Sequence, residues 1–218
     1  MAETYTSTVA ANGAAVDAAL LSAISPVASS VSFVPSGTLA ATNVQAALEE
    51  LDDEKLVASG YQLAVFTPLD NQPPATAFAT LDTRNSIALL DFDDGATNEA
   101  AVFVGVIPAA AKMTSGLKVR LFWMATSATS GDCRWGVAFE KYGTDNDADS
   151  FDTATEAHTT CSGTSGIAVV TEITATTIDS LAAGDQFRLK VYRDSSDTGN
   201  DTMAGDAELI AVELREVV

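Results

Sequence analysis

The sequence predicts a mainly β protein, an antiparallel jelly-roll-like β-sandwich preceded by an extended or short-helical N-terminal segment. Three observations lead there. β-like runs recur from Tyr61 onward at intervals too short for the helices of a doubly wound sheet. Several of these runs alternate with the period of a half-buried strand: in LKVRLFWM, Leu117, Val119, Leu121 and Trp123 oppose Lys118 and Arg120, and in QFRLKVY, Phe187, Leu189 and Val191 oppose Arg188 and Lys190. Turn residues separate the runs, at Asp93-Asp94-Gly95, Ser130-Gly131-Asp132, Gly143-Thr144-Asp145, Ala183-Gly184-Asp185 and Asp197-Thr198-Gly199.

The elements follow in chain order. Residues 1–60 contain only Tyr5 and Phe33 as aromatics, too few large side chains to close a core, so they are expected to be extended, helical or packed on neighbouring chains. Ala14 to Ser25 could form a helix with Val16, Leu20 and Ile24 on one stripe, stopped by Pro26. Val31 and Phe33 suggest a brief extended stretch ended by Pro35 and a Ser36-Gly37 turn. Thr42-x-x-Gln45 matches a capping box, which starts a helix at Asn43 and carries it to about residue 55. That helix places Val44, Ala47, Leu48 and Leu51 on one face, with Gln45, Glu49, Asp52 and Asp53 on the other. An isolated helix of about 13 residues is marginal in water, and the acidic run Glu49, Glu50, Asp52, Asp53, Glu54 lies toward the end where the macrodipole disfavours negative charge. It therefore needs a partner, either its own β domain or two further copies along a threefold seam of Val44, Ala47, Leu48 and Leu51.

The second domain, residues 61–218, offers nine candidate strands: Tyr61–Phe66, Ala77–Leu81, Ser86–Phe92, Ala101–Ile107, Leu117–Met124, Arg134–Tyr142, Ile167–Thr177, Gln186–Tyr192 and Glu208–Glu216. In the last of these, Ile210, Val212 and Leu214 are expected to face the core. Trp123 falls on a buried face and Trp135 alternates with Val137 and Phe139, so both tryptophans read as core rather than as a sugar platform.

Charge narrows the partners. Eleven Lys plus Arg stand against 30 Asp plus Glu, a formal charge of −19 with a pI near 4.1. Such a field repels nucleic acid and anionic lipid headgroups, while a partner with a basic patch stays compatible. Disorder does not follow, because 47% of the residues are hydrophobic and only 19% charged. No run approaches the ~18 apolar residues of a membrane span, so no membrane insertion is expected. MAETYTSTVAANG carries neither a basic residue nor an apolar run, which points away from an export leader and toward a reducing compartment. Cys133 and Cys161 have no metal or redox spacing and are expected to be two buried thiols.

Groups that could do chemistry are sparse. His158, the one histidine, lies near Cys161 without a third orienting group, and reads as a surface histidine beside an unreactive thiol. Asp145, Asp147 and Asp149 with Glu156 at the twelfth position copy the acidic positions of a calcium loop, but Ser150 stands where the turn wants glycine and the flanks are strands. The cluster Asp194 to Asp201 reads as a solvated connection. No catalytic residue, cofactor or metal ligand is assigned.

The segment FVPSGTLAATNVQAALEELDDEK, Phe33 to Lys55, resembles a module that recurs in tailed-bacteriophage fibre and appendage proteins, linking an anchoring tail to a distal domain. The blocks WGVAFEKY, LAAGDQFRLKVYRD and DTMAGDAELIAVELREV are similar, more loosely, to β-sandwich domains of phage virion proteins. The resemblance implies a non-enzymatic, homotrimeric virion protein, made in the host cytoplasm and located in the virion. It would be anchored to a capsid, neck or tail protein through residues 1–60, with the sandwich outward. A glycan-binding adhesin that contacts the host surface is the alternative.

Overall fold

The computed structural model describes residues 31–32, 34–35, 40–57, 60–95, 97–143 and 150–217, the stretch 51–57 by its backbone. The chain divides into two compact units, Met1–Ser59 and Gly60–Val218. The expected Ala14–Ser25 helix, Phe33 and the Ser36-Gly37 turn lie outside the described residues.

In the first unit, helix α1 spans Val44–Val57. Its cap is Asn43 rather than Thr42: Asn43 Oδ1 accepts the Ala46 amide at 2.8 Å and its carbonyl takes the Ala47 amide at 2.9 Å. Asparagine caps at least as well as threonine, so the start moves by one residue. The preceding chain folds back on this cap, with Ser32 bridged to Asn43 and the Val44 amide donating to the Val31 carbonyl at 3.0 Å. Glu50 lies at mid-helix, and its carboxylate accepts the amides of Ala40 and Ala41, each at 2.8 Å.

The second unit is a two-sheet antiparallel sandwich. Its strands are β1 (Gln62–Phe66), β2 (Thr80–Arg84), β3 (Ile87–Phe92), β4 (Ala100–Val106), β5 (Leu117–Ala125), β6 (Asp132–Lys141), β7 (Thr155–Thr160), β8 (Val169–Ala175), β9 (Gln186–Arg193) and β10 (Ala207–Glu216). One sheet runs β2-β3-β10-β5-β8, with β1 also on β10; the other runs β4-β9-β6-β7. The fold class read from the sequence is thus the fold observed. β10 is the organising strand, pairing β5 along one side and β3 and β1 in succession along the other. A bulge between Leu209 and Ala211 changes which residues face inward: Leu209, Val212 and Leu214 are buried, while Ile210, expected in the core, is only half-buried.

Two further expectations are corrected. The strand expected at Ala77–Leu81 begins at Thr80, because Ala77 is left-handed (φ 52°) and Phe78 makes only a parallel bridge to Ala100. β2 then turns into β3 through Asn85 and Ser86 at φ 50° and 66°, the conformation of a two-residue type I′ hairpin. β7 was not foreseen. Its sequence TEAHTT alternates only weakly, and its inward residues opposite Cys133, Trp135 and Val137 are Thr159, Ala157 and Thr155.

Between the sheets, Trp135 packs edge-on against Phe92 with ring centroids 4.9 Å apart and lies 5.9 Å from Trp123; Phe66 stacks on Phe103 at 5.3 Å. Both cysteines are free and buried, and burial pushes each thiol's pKa above its ordinary value. A charged pair also lies inside. The Arg193 guanidinium, fully buried, meets Asp201 through Nε at 3.0 Å and Nη2 at 2.7 Å, and gives its other donors to the carbonyls of Phe92, Met203 and Gly205.

Candidate functional site

Three surfaces of the sandwich gather side chains that a ligand or partner could use. The first is the outer face of the β4-β9-β6-β7 sheet. Alternation turns Arg188, Lys190 and Tyr192 of β9 outward, and the register sets each between small or acidic neighbours: Tyr192 between Ala100 and Gly136, Lys190 between Val102 and Ala138, Arg188 between Val104 and Glu140. A Cβ on Gly136 would lie 2.2 Å from Tyr192 Cζ, so the ring needs glycine beneath it. Phe151 covers the cations, 4.8 Å from the Arg188 guanidinium carbon and 5.1 Å from Lys190 Nζ. Glu140 pairs with Arg188 at 2.9 Å. Tyr192 donates its hydroxyl proton to Glu156, which also pairs with Arg134, and Arg134 gathers Asp194 and Asp197 as well. Burial, then the Glu156 hydrogen bond, raises the Tyr192 pKa. This is a rigid, internally paired strip in which a planar ring is flanked by both signs of charge.

The second surface is a cleft of about 540 Å³ at one end of the sandwich, among Thr114, Ser115, Asp152, Thr176, Thr177 and Ser180 with Leu181 as part of its floor. Its lips are tied together: Asp152 accepts the Asp179 amide at 3.0 Å, Asp179 accepts the Lys141 amide at 2.6 Å, and Thr177 donates to the Thr153 carbonyl at 2.9 Å. Asp179 and Ser180 are held at φ 53° and 54°, left-handed for non-glycine residues. Its polar lining suits hydrogen bonding to hydroxyls.

The third is apolar. Leu69, in a 3-10 turn spanning Pro68–Asp70, is 71% exposed, Leu81 53% and Phe78 47%. A hollow of about 310 Å³ lies among Pro68, Leu69, Phe78, Ala79 and Leu81. A second, of about 460 Å³, adjoins it through Leu69 and Asn71 and is more polar, with Asp70, Asn71 and Gln72 beside Val65 and Val104.

The residues singled out from sequence are dispersed. Of the seam set, Val44 is half-buried, Ala47 5% exposed and Leu48 62% exposed; the Leu51 side chain lies outside the described residues. Asp145, Asp147 and Asp149 lie outside them too, and Glu156 is engaged by Arg134 and Tyr192. His158 is exposed on the outer face of β7 while Cys161 is buried, so the two do not form a nucleophile pair. Among the described residues no group of acids, histidines and cysteines has metal-binding geometry, and no helix is long and apolar enough to cross a membrane. Nothing in the sequence marks Phe151 or Leu69, each an apolar residue between polar or proline neighbours.

One electrostatic feature sets a pH dependence. Asp91 and Glu208 face each other across β3 and β10; Arg84 pairs with Glu208 at 2.8 Å and leaves Asp91 Oδ1 without a partner. Burial first, then Glu208, raises the Asp91 pKa from 3.8 to about 6. Glu99 and Asp206 shift upward for the same leading reason. A carboxyl that holds its proton more tightly folded than unfolded adds stability at low pH, and that stability is lost as pH rises through the window from the ordinary value to about 6. Asp91→Asn is therefore expected to raise the melting temperature at pH 8 and leave it nearly unchanged at pH 4. Calorimetry showing the same shift at both would sink the assignment.

No family model matches the chain, and no curated protein matches it in sequence. Solved structures do resemble it. The CBM22-1 xylan-binding domain of Paenibacillus barcinonensis Xyn10C is 10% identical with a TM-score of 0.42, over 73% of this chain and 98% of that one. The family 30 carbohydrate-binding module of Clostridium thermocellum Cel9D-Cel44B is 5% identical with a TM-score of 0.40, over 73% and 95%. The CBM6cm-2 module of Cellvibrio mixtus lichenase 5A, solved with cellotriose, is 12% identical with a TM-score of 0.36, over 72% and 100%. At these values the likeness is one of β-sandwich architecture and extends no further.

Proposed function

We propose that the chain is a non-enzymatic structural protein of a tailed-phage virion, a trimeric fibre or decoration protein held to the particle by residues 1–60 and displaying its sandwich outward. The observation that carries this reading is the division at Ser59 and Gly60, which falls directly after the phage-linker-like segment Phe33 to Lys55. The helix of that segment leaves Leu48 62% exposed, as a residue awaiting a neighbouring chain would be. Its partners on this reading are its own copies and a capsid, neck or tail protein. Closed symmetry would multiply a weak helical seam, and display in many copies would multiply weak contacts.

Sedimentation equilibrium of the full chain tests the seam. The wild type is expected at three chain masses. Leu48→Asp or Leu51→Asp should give one chain mass with the unfolding transition of the sandwich unchanged. A trimer surviving both substitutions would reject the helix as the seam.

A second reading, glycan binding by the same sandwich, is supported by the cleft of about 540 Å³ that includes Thr114 and Ser180, whose hydroxyls and Asp152 carboxylate offer donors and acceptors in a ligand-sized volume. A glycan array probed with the full chain separates the readings: retention on printed surface glycans makes the display protein an adhesin as well, and its absence leaves the structural role alone.

A further inference from the structure

We infer that the β1–β2 end of the sandwich is a self-association surface that seats a second copy of this chain. The inference builds on the reading of the protein as self-associating, and gives the sandwich its own share in that contact beyond the helix.

Shape is the first argument. Leu69 projects between two hollows that share it and Asn71 as lining residues. A knob beside a hole on one patch is self-complementary, since Leu69 of one copy can enter the hollow between Phe78 and Leu81 of the next. Charge is the second. At −19, two copies repel over most of their surfaces and can approach only where ionised groups are scarce. The smaller hollow has no ionisable residue in its lining. The larger one does carry a charge, since the Asp70 carboxylate, tied at 2.7 Å to both the amide and the hydroxyl of Thr67, is held in its ionised form, so close approach of two copies is confined to the smaller hollow.

The third argument is the contrast between two sheet edges. The ladder of β4 is closed by the chain's own segment: the Gln72 amide donates to the Val102 carbonyl at 2.7 Å, Asn71 Oδ1 accepts the Val102 amide at 2.9 Å, the Ala79 amide donates to the Ala100 carbonyl at 3.0 Å, and the Ala100 amide donates to the Ala77 carbonyl at 2.9 Å. β2, by contrast, pairs with β3 alone among the described residues, and Thr80, Leu81, Asp82 and Thr83 are all exposed. Such an edge is usually blunted by charge, proline or a covering segment; β2 has neither proline nor cover, and of its two charged residues Arg84 is turned to Glu208 at 2.8 Å, which leaves Asp82 as its one exposed charge. An open edge flanked by an apolar knob and hollow fits a neighbour of identical surface.

Sedimentation equilibrium of the full chain provides the test, with four variants: Leu69→Asp, the double change Phe78→Asp with Leu81→Asp, Leu69→Met and Leu48→Asp. Leu69→Asp and the double variant are each expected to weaken self-association about ten-fold or more. Their unfolding midpoints should stay at the wild-type value, because the residues are exposed. Leu69→Met, which keeps an apolar knob, should associate as the wild type does. If Leu48→Asp dissociates the protein while both sandwich variants associate normally, the surface is rejected and the helical seam stands. A wild type that sediments as a single chain rejects both, and leaves the apolar end to a foreign partner.

Discussion

Arg193→Ala is expected to lower the unfolding free energy by about 3–5 kcal/mol, the loss typical when one member of a buried ion pair is removed. All five guanidinium N–H groups are used: two on Asp201 and three on the carbonyls of Phe92, Met203 and Gly205. Asp201 also accepts the Arg134 amide at 2.9 Å, so the pair joins the end of β9, the start of β6, the end of β3 and the chain entering β10. Deleting the guanidinium strands a carboxylate whose side chain is 3% exposed and leaves three carbonyls to find other donors. Asp201→Ala should cost a similar amount. The double change Arg193→Met with Asp201→Leu should cost much less than the sum, because neither charge is then left unpaired. Urea unfolding of the four proteins measures this, and single variants losing under about 1 kcal/mol would show that the pair is dispensable.

Trp135→Ala ranks with it, at about 3–5 kcal/mol for truncating a fully buried indole. The ring bridges the sheets, against Phe92 on one and Trp123 beside it, so the cavity would open at the centre of the sandwich. The two tryptophans should respond differently to phenylalanine. Trp123 Nε1 donates to Thr171 Oγ1 at 2.9 Å, whereas Trp135 Nε1 has no partner among the described residues. Trp123→Phe therefore loses a hydrogen bond and leaves a buried hydroxyl short of a donor, while Trp135→Phe removes an unpaired one. The first should be the more costly by about 1 kcal/mol. Equal losses would mean that packing alone fixes both rings.

Strands β5, β6 and β9 were legible because their inward residues are large and charged residues recur among the outward ones, Lys118 and Arg120, Arg134 and Glu140, Arg188 and Lys190, so period two stands out in the sequence. β7 was not, since its inner face needs only Ala157 and two threonines over the bulk of Trp135 and Cys133. Alternation vanishes where a strand faces a partner that already fills the space. The β10 bulge was hidden for a related reason: in LIAV every residue is apolar, so a one-residue slip leaves no trace in the pattern. The Arg193–Asp201 pair was illegible on other grounds. Charged residues are presumed wet, and Asp201 closes a run of acids that reads as a solvated loop. Of the candidate surfaces, the β9 ridge could be read from alternation. The exposure of Leu69, Phe78 and Leu81 could not, because apolar identity does not say whether anything covers it.

The placement of the bases has one more consequence. All six arginines are paired with acids, and nine of the eleven basic residues stand in strands, the exceptions being Lys55 in α1 and Lys112. A protease that cleaves after lysine or arginine must draw several residues of extended chain into its active site, and within a strand that requires opening the ladder first. Six of the eleven such bonds, those after Lys118, Arg120, Arg134, Arg188, Lys190 and Arg215, thus lie inside strands, while Arg84, Lys141 and Arg193 each end theirs. At those bonds, digestion by trypsin-like enzymes is then governed by the unfolding of the sheets rather than by the accessibility of the surface.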